Sequence, residues 1–293
     1  MPWLNDLKVR IRFREPLSAH TTLRIGGPAD AWVEPESLEE LKEIICRLNK
    51  ERRPYFVIGK GSNILAGDKG FRGGVICLNS PAFTKIEAKG TSIVIGGGLA
   101  LSSLIRQAAE WGLGGLEFLA GIPASVGGAL ITNAGTPEQG IGGLVKSVTV
   151  MDKAGKVYTL GKKELKFSYR KSNLNRYIVL GSVLQLIKRR PRQIENNIAK
   201  NLFQKRRTQD LDSKSAGCIF KNPRHRLSAG RLIELCGLKG RRCGGAEVSM
   251  KHGNYIINRS GAKAKDILYL MDLAQREVKK SFGVDLKPEI KII

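Results

Sequence analysis

The stretch Tyr55-Phe-Val-Ile-Gly-Lys-Gly-Ser-Asn-Ile-Leu65 sets the architecture. Its first four residues are apolar and read as a short buried strand. The strand runs without a break into a loop with glycines at 59 and 61. Closely spaced glycines let backbone N–H groups point together as a nest for phosphate oxygens, and Ser62 and Asn63 add donors. The loop lacks the third glycine of Gly-x-Gly-x-x-Gly and the Gly-Lys-Ser/Thr ending of a P-loop. Taken alone it is as good a strand-ending turn as a phosphate site. Upstream, Ala29-Asp-Ala-Trp-Val-Glu-Pro35 alternates like a strand that stops at proline. Ser37 then caps a helix, with Glu40 in the capping-box position and Leu38, Leu41, Ile44, Ile45 and Leu48 at helical spacing. Strand, helix, strand and glycine loop in this order are typical of α/β or α+β nucleotide binders.

Downstream, Val75–Leu78 and Ser92–Ile95 read as strands, the second ending in Gly96-Gly-Gly98. Leu101–Trp111 is an amphipathic helix stopped by Gly112. Gly121-Ile-Pro-Ala-Ser-Val-Gly-Gly128 and Thr132-Asn-Ala-Gly135 are glycine-rich turns flanking small side chains. Such a stretch can wrap a diphosphate and pack on a flat ring, or form a buried helix–turn in a tight core. Val145–Met151 and Lys156–Leu160 form a hairpin around Lys153-Ala-Gly155, and Tyr177–Leu186 is a strand. Residues 187–193 are a charge run containing proline and read as a domain boundary. A basic helix from Ile194 to about Gln209 follows. From Ser215 a smaller α+β region carries helices over Arg231–Cys236 and Lys265–Phe282 and a strand over Tyr255–Asn258.

The length of 293 residues suits about two domains. A hydrophobic share of 42% supports a packed core and argues against disorder. The 50 Lys and Arg against 26 Asp and Glu leave a net charge of +24, which attracts polyanions of any kind. The basic residues are dispersed, as at Lys162, Lys163 and Lys166, so the plain reading is a solvated surface. Cysteines at 46, 77, 218, 236 and 243 are odd in number and form no Cys-x-x-Cys. That argues against a disulfide framework or a metal site, and free thiols suit a reducing cytosol. The start shows no basic n-region followed by an apolar stretch, and no apolar run of about 18 residues occurs, so a cytoplasmic protein without a membrane span is expected.

Three further residues carry chemistry only in combination. Arg170, in Ser168-Tyr-Arg170, offers a fork for a carboxylate or phosphate, though a lone arginine is usually a surface residue. Cys218, in Ser215-Ala-Gly-Cys-Ile-Phe-Lys-Asn-Pro223, follows a glycine and reads by default as a buried structural thiol. Glu289, between Pro288 and Ile290, says nothing by itself.

His20-Thr-Thr-Leu-Arg-Ile-Gly-Gly-Pro-Ala29, the Gly59–Leu65 loop, Leu116–Gly135, Ser168–Arg170, Ser215–Pro223 and Pro288-Glu289 occur in this order. With these motifs the sequence resembles the UDP-N-acetylenolpyruvoylglucosamine reductase family, shorter bacterial subtype, from about residue 15 to the end. The resemblance implies an α+β fold. Residues 1–190 would form a two-lobed FAD-binding domain of the vanillyl-alcohol-oxidase (PCMH) type, with lobes of about 1–80 and 81–190. Residues 195–293 would form a smaller substrate domain, whose last strand returns to the first lobe. It implies non-covalent FAD lined by Gly59, Lys60, Gly61, Ser62, Asn63, Ile64, Gly121, Ile122, Pro123, Gly127, Thr132 and Asn133. NADPH would reduce the flavin and leave. Flavin N5 would then deliver hydride to the terminal carbon of the enolpyruvyl ether of a UDP-sugar, giving UDP-N-acetylmuramate for peptidoglycan.

The chemistry fits the residue types that the resemblance assigns. Negative charge develops on the substrate carboxylate, and Arg170 would stabilise it there. Glu289, if protonated in a partly apolar site, would donate a hydrogen bond to the enol oxygen. The enolate carbon is finally protonated, by a serine in most relatives. Cys218 stands at that position here; an ordinary thiol is mostly protonated at neutral pH, though open to oxidation. Arg206, Arg207, Lys221, Asn222 and His252 would meet the sugar nucleotide. Gln209-Asp210-Leu211 and Lys214 replace prolines of many relatives, so the loop before Ser215 is expected to take a different path. A monomer is favoured. Another PCMH-type flavin oxidoreductase is the alternative, but neither His20 nor Cys46 has the context of a covalent flavin anchor. A nucleic-acid binder is a poorer one, with aromatics at 6% and no binding motif.

Overall fold

The computed structural model describes residue 4 and residues 9–293. The chain forms two compact units. One takes the described residues up to Phe13 with Ala31–Lys60 and Arg72–Phe203; the other takes Arg14–Asp30, Gly61–Phe71 and Gln204–Ile293.

Two larger sheets lie mainly in the first unit, beside shorter two-stranded pairs. The strand order of one is Arg10–Pro16, Pro28–Glu34, Phe71–Cys77, Tyr55–Ile58, and the last two run parallel. The helix Leu38–Lys50 buries Leu41, Ile44, Ile45 and Leu48 in one cluster with Ala31, Val33 and Ile76. Its cap forms as the sequence indicates, with the Glu40 amide donating to Ser37 Oγ at 3.1 Å. The return bond is displaced by one residue: the Glu40 carboxylate accepts from the amide of Glu36 at 2.8 Å.

The other sheet has five strands in the order Val157–Gly161, Val145–Met151, Ile178–Gln185, Ser92–Gly96, Ile86–Lys89, all neighbours antiparallel. The helices Leu101–Glu110 and Val126–Thr132 bury Leu104, Val126, Ala129 and Leu130 in a cluster with Val148, Val150, Val179 and Leu184. The stretch read as paired glycine turns therefore encloses a short buried helix.

Residues 187–193 are not a linker. Ile187–Lys188 pairs antiparallel with Leu113–Gly114, and the Arg189 amide donates to Gly112 O at 2.9 Å. Pro191 opens the helix Pro191–Thr208. Its missing N–H and fixed φ suit the first helical position, so proline here starts a helix instead of marking a break. Ile194 is buried and Ile198 packs on the first unit's core, which carries the division to Phe203/Gln204, inside this helix.

The second unit has a four-stranded sheet in the order Ser215–Cys218, Tyr255–Asn258, Ala246–Val248, Arg242–Cys243. The helices Ala229–Leu235 and Ala264–Phe282 bury Leu232, Ile233, Ile267, Leu270 and Met271 in one core. Leu23, Ile25 and Leu65 are buried in that same core, which is why two N-terminal segments group with the C-terminal part. The last strand, Lys291–Ile292, lies parallel to Ile64–Leu65. The loop before Ser215 is anchored: Ser249 Oγ donates to Asp210 at 2.8 Å and Tyr255 Oη to Gln209 at 3.0 Å. Among the described residues no helix is long and apolar enough to cross a membrane. None of the five cysteines is in a disulfide.

Candidate active site

In the first unit the strand Tyr55–Ile58 ends at Gly59, where a Cβ would stand 2.2 Å from Ser125 Oγ. A side chain there would push the Ser125 hydroxyl from its place. Ser125 caps the helix Val126–Thr132 by accepting from the Gly128 amide at 3.3 Å. The Val126 amide donates to Leu99 O at 2.8 Å and the Gly127 amide to Gly97 O at 2.7 Å. The first-turn amides of this helix are therefore spent on the protein and not left for a diphosphate. The glycines here serve close packing, and the Gly121–Pro123 rim is the partly exposed portion. Thr132 Oγ1 donates back to Gly128 O at 3.0 Å. Gly97 and Gly98, which the motif reading passed over, complete this floor: a Cβ on Gly98 would lie 1.6 Å from Leu78 O. The triple glycine was the available signal. Lys60 is exposed beside the loop.

Arg170 sits in the same unit on a minimal hairpin, Phe167–Ser168 with Lys171–Ser172. Its backbone is left-handed, with φ +51°. Its Nη1 donates to Gly135 O at 2.9 Å, and its guanidinium lies 5.4 Å from the Tyr169 ring centroid. Asn133 ends the helix Val126–Thr132, also with a left-handed backbone. Its Nδ2 donates to Ser168 O at 2.9 Å, and its Oδ1 accepts from the Gly142 amide at 3.0 Å.

In the second unit Gly61 has φ +61° and its carbonyl accepts from the Thr22 amide at 3.3 Å. The amides of Gly61, Ser62 and Asn63 find no acceptor among the described residues. Three successive unspent N–H groups are the donor set that phosphate oxygens require, so this loop fits the diphosphate of a dinucleotide cofactor. Ile64 pairs with Lys291, and the Lys291 amide donates to Asn63 O at 2.9 Å. Asn63 Nδ2 donates to Glu289 O at 3.2 Å.

The backbone segments that carry Cys218 and Glu289 meet in this unit. The strand Ser215–Cys218 pairs with Tyr255–Asn258 through a register shift between Ser215 and Cys218. Such a bulge re-aims the following side chain. The Glu289 amide donates to Ile219 O at 2.8 Å, directly after Cys218, and Phe220 bridges Pro288. Both Cys218 and Glu289 are half-buried. Asn254, 2% exposed, locks the segment: its Oδ1 accepts from the Phe220 amide at 2.9 Å and its Nδ2 donates to Phe220 O at 2.7 Å. No motif singled out Asn254, because a buried asparagine bonded across 34 residues leaves no local pattern.

The other sugar-nucleotide candidates have visible structural duties. Asn222 Oδ1 accepts from the Ala229 amide at 3.1 Å, at the start of a helix. The Lys221 amide donates to Lys287 O at 2.9 Å. Arg206 and Arg207 lie exposed in the last turn of the helix Pro191–Thr208, where the helix dipole favours positive charge. His252 Nδ1 accepts from the Asn254 amide at 3.1 Å, and burial lowers its pKa from the ordinary 6.5. It is therefore neutral at neutral pH, offering its other ring nitrogen as a donor but no charge.

Residues 29–161 match the family described as FAD binding domain, and residues 209–293 match UDP-N-acetylenolpyruvoylglucosamine reductase, C-terminal domain. The UDP-N-acetylenolpyruvoylglucosamine reductase of Moorella thermoacetica is 42% identical over 98% of this chain and 94% of its own. The crystal structure of the reductase of that name from Thermus caldophilus superposes with a TM-score of 0.83 at 38% identity, covering 97% of this chain and 98% of that one. A solvent-stable cholesterol oxidase, 16% identical, covers 63% of this chain and 39% of its own with a TM-score of 0.50, a likeness of fold alone.

Proposed function

Since the chain belongs to the UDP-N-acetylenolpyruvoylglucosamine reductase family, we propose that it reduces the enolpyruvyl ether of UDP-N-acetylglucosamine to UDP-N-acetylmuramate with NADPH as reductant. It is an FAD-dependent oxidoreductase. FAD, when bound, supplies the two-electron chemistry between the nicotinamide and the enolpyruvyl double bond. The amides of Gly61, Ser62 and Asn63 hold its diphosphate, and the Gly121–Pro123 rim contributes to its lining.

The substrate's own carboxylate dictates the remaining roles. Reduction at the terminal vinyl carbon leaves an enolate whose charge rests on the carboxylate oxygens. Arg170 binds those oxygens and favours the charge where it develops. Glu289, in its protonated form, donates a hydrogen bond to the same group. The Cys218 thiol transfers its proton to the adjacent carbon, and solvent restores the thiol. The observation that supports this reading most is the 2.8 Å bond from the Glu289 amide to Ile219 O, which sets the acid beside the cysteine segment within one unit.

The test is the visible spectrum of the protein under anaerobic conditions. NADPH should bleach the flavin bands, and the UDP-enolpyruvyl sugar should restore them. In Cys218→Ala the NADPH step should be unchanged, while restoration by the sugar slows by about 10²-fold or more. Undiminished turnover of Cys218→Ala would remove the cysteine from the proton step. Failure of the sugar to restore the bands in the unaltered protein would sink the whole assignment.

A further inference from the structure

Arg170 occupies a backbone conformation that it does not favour. It lies between Ser168 and Lys171, the inner pair of a short hairpin of Phe167–Ser172 and Ser168–Lys171 that the Asn173 amide extends by one bond to Lys166 O at 3.1 Å, and has φ +51°. A side chain persists in that region only where its surroundings over-determine it. So small a hairpin cannot do this alone, since short two-stranded ribbons are marginal in water.

The fixing comes from one end of the helix Val126–Thr132. Ser172 Oγ donates to Ile131 O at 2.8 Å, and Arg170 Nη1 donates to Gly135 O at 2.9 Å. Between them Asn133 Nδ2 donates to Ser168 O at 2.9 Å, on the residue where the turn begins. The other end of the same amide accepts from the Gly142 amide at 3.0 Å, and a Cβ on Gly140 would stand 2.3 Å from Asn133 Oδ1. The Asn133 amide is thus clamped, and both its nitrogen and its oxygen already serve the protein. Asparagine also tolerates its own φ of +48° better than most residues do.

From this geometry we propose that Asn133 is a positioning residue: it holds the Ser168–Lys171 turn so that Arg170 meets the substrate carboxylate, and it is not a flavin ligand. The inference rests on Arg170 being the catalytic arginine. It places one end of the helix Val126–Thr132 in control of the oxidative half-reaction alone.

Asn133→Gly removes the amide and keeps the left-handed backbone comfortable. Restoration of the flavin bands by the UDP-enolpyruvyl sugar should slow by on the order of tenfold to a hundredfold, as a small misplacement of a reacting group does. FAD affinity and bleaching by NADPH should not change. Trypsin cleavage after Arg170, located by mass spectrometry on the resting protein, should become faster. In an Arg170→Ala background Asn133→Gly should bring no further loss, because a positioning residue has nothing left to position.

Weakened FAD binding, an equal loss in both half-reactions, or a loss that multiplies with that of Arg170→Ala would overturn the proposal. So would no loss at all. Should Asn133→Gly not fold, Asn133→Asp decides: it keeps the acceptor for Gly142 and sets a carboxylate oxygen against the Ser168 carbonyl, so the same pattern is expected. An Arg170→Ala protein with normal restoration is a separate result, removing the catalytic assignment of Arg170 whatever Asn133 does.

Discussion

Glu34 is a carboxylate 7% exposed and held by four donor side chains. Trp32 Nε1 reaches it at 2.9 Å, Asn79 Nδ2 at 3.1 Å, and Arg12 and Arg10 pair with it at 3.1 and 3.2 Å. Burial alone would raise its pKa, but the Trp32 bond and the two guanidinium groups outweigh burial and hold it below the ordinary 4.5. Its folded pKa is depressed, so its contribution to stability is complete above the unfolded value near 4.5 and fades as pH falls through the folded value. Glu34→Gln should lower the unfolding free energy at neutral pH by about 1–3 kcal/mol, largely through the Trp32 and Arg12 contacts since Arg10 is mostly solvated. Urea denaturation from pH 7 to pH 3 should show the variant losing less stability with acid than the parent; parallel curves would contradict the linkage. At this scale the family resemblance, and not the local pattern, singled out Arg170, Cys218 and Glu289. Neither gave a sign that Asn222 holds a helix start or that His252 is neutral, because those depend on burial and on partners that no spacing encodes.

At the scale of elements, what was local was readable. Ser37 with Glu40 marks a helix start, and Val157–Gly161 folds onto Val145–Met151 where alternation and a glycine turn put the hairpin. The proline in 187–193 misled because a helix-opening proline and a linker proline look alike until Ile194 is seen to be buried. The turn after the strand Ser92–Gly96 shows the opposite case, a triple glycine whose purpose appears only in the packing. A Cβ on Gly98 would overlap the carbonyl oxygen of Leu78, a backbone atom that cannot rotate away. Gly98→Ala should therefore destabilise by roughly 2–4 kcal/mol through forced backbone movement. Thermal denaturation of the purified variant measures this; an unchanged midpoint would mean that the strand and the Leu78 segment yield freely.

For the whole molecule the net charge of +24 is the dominant long-range term. The proposed substrates are both polyanions, so the field should raise their encounter with the protein and weaken as salt screens it. Raising the ionic strength from about 0.05 to about 0.5 M should increase KM for NADPH and for the UDP-sugar several-fold with kcat little changed. A KM indifferent to salt would confine the charge to solubility. The family, the flavin module and the local elements were legible in the chain, because glycine loops, caps and hydrophobic periods act over a few residues and leave their mark in adjacent letters. Only the tertiary structure decided that Leu23, Ile25 and Leu65 belong to the core of the C-terminal unit, that Glu289 backs onto the segment of Cys218, and that Asn133 clasps the turn of Arg170. These are single hydrogen bonds and burials between distant segments. Their energy depends on three-dimensional proximity, and a short polar side chain carries no trace of its partner in the sequence around it.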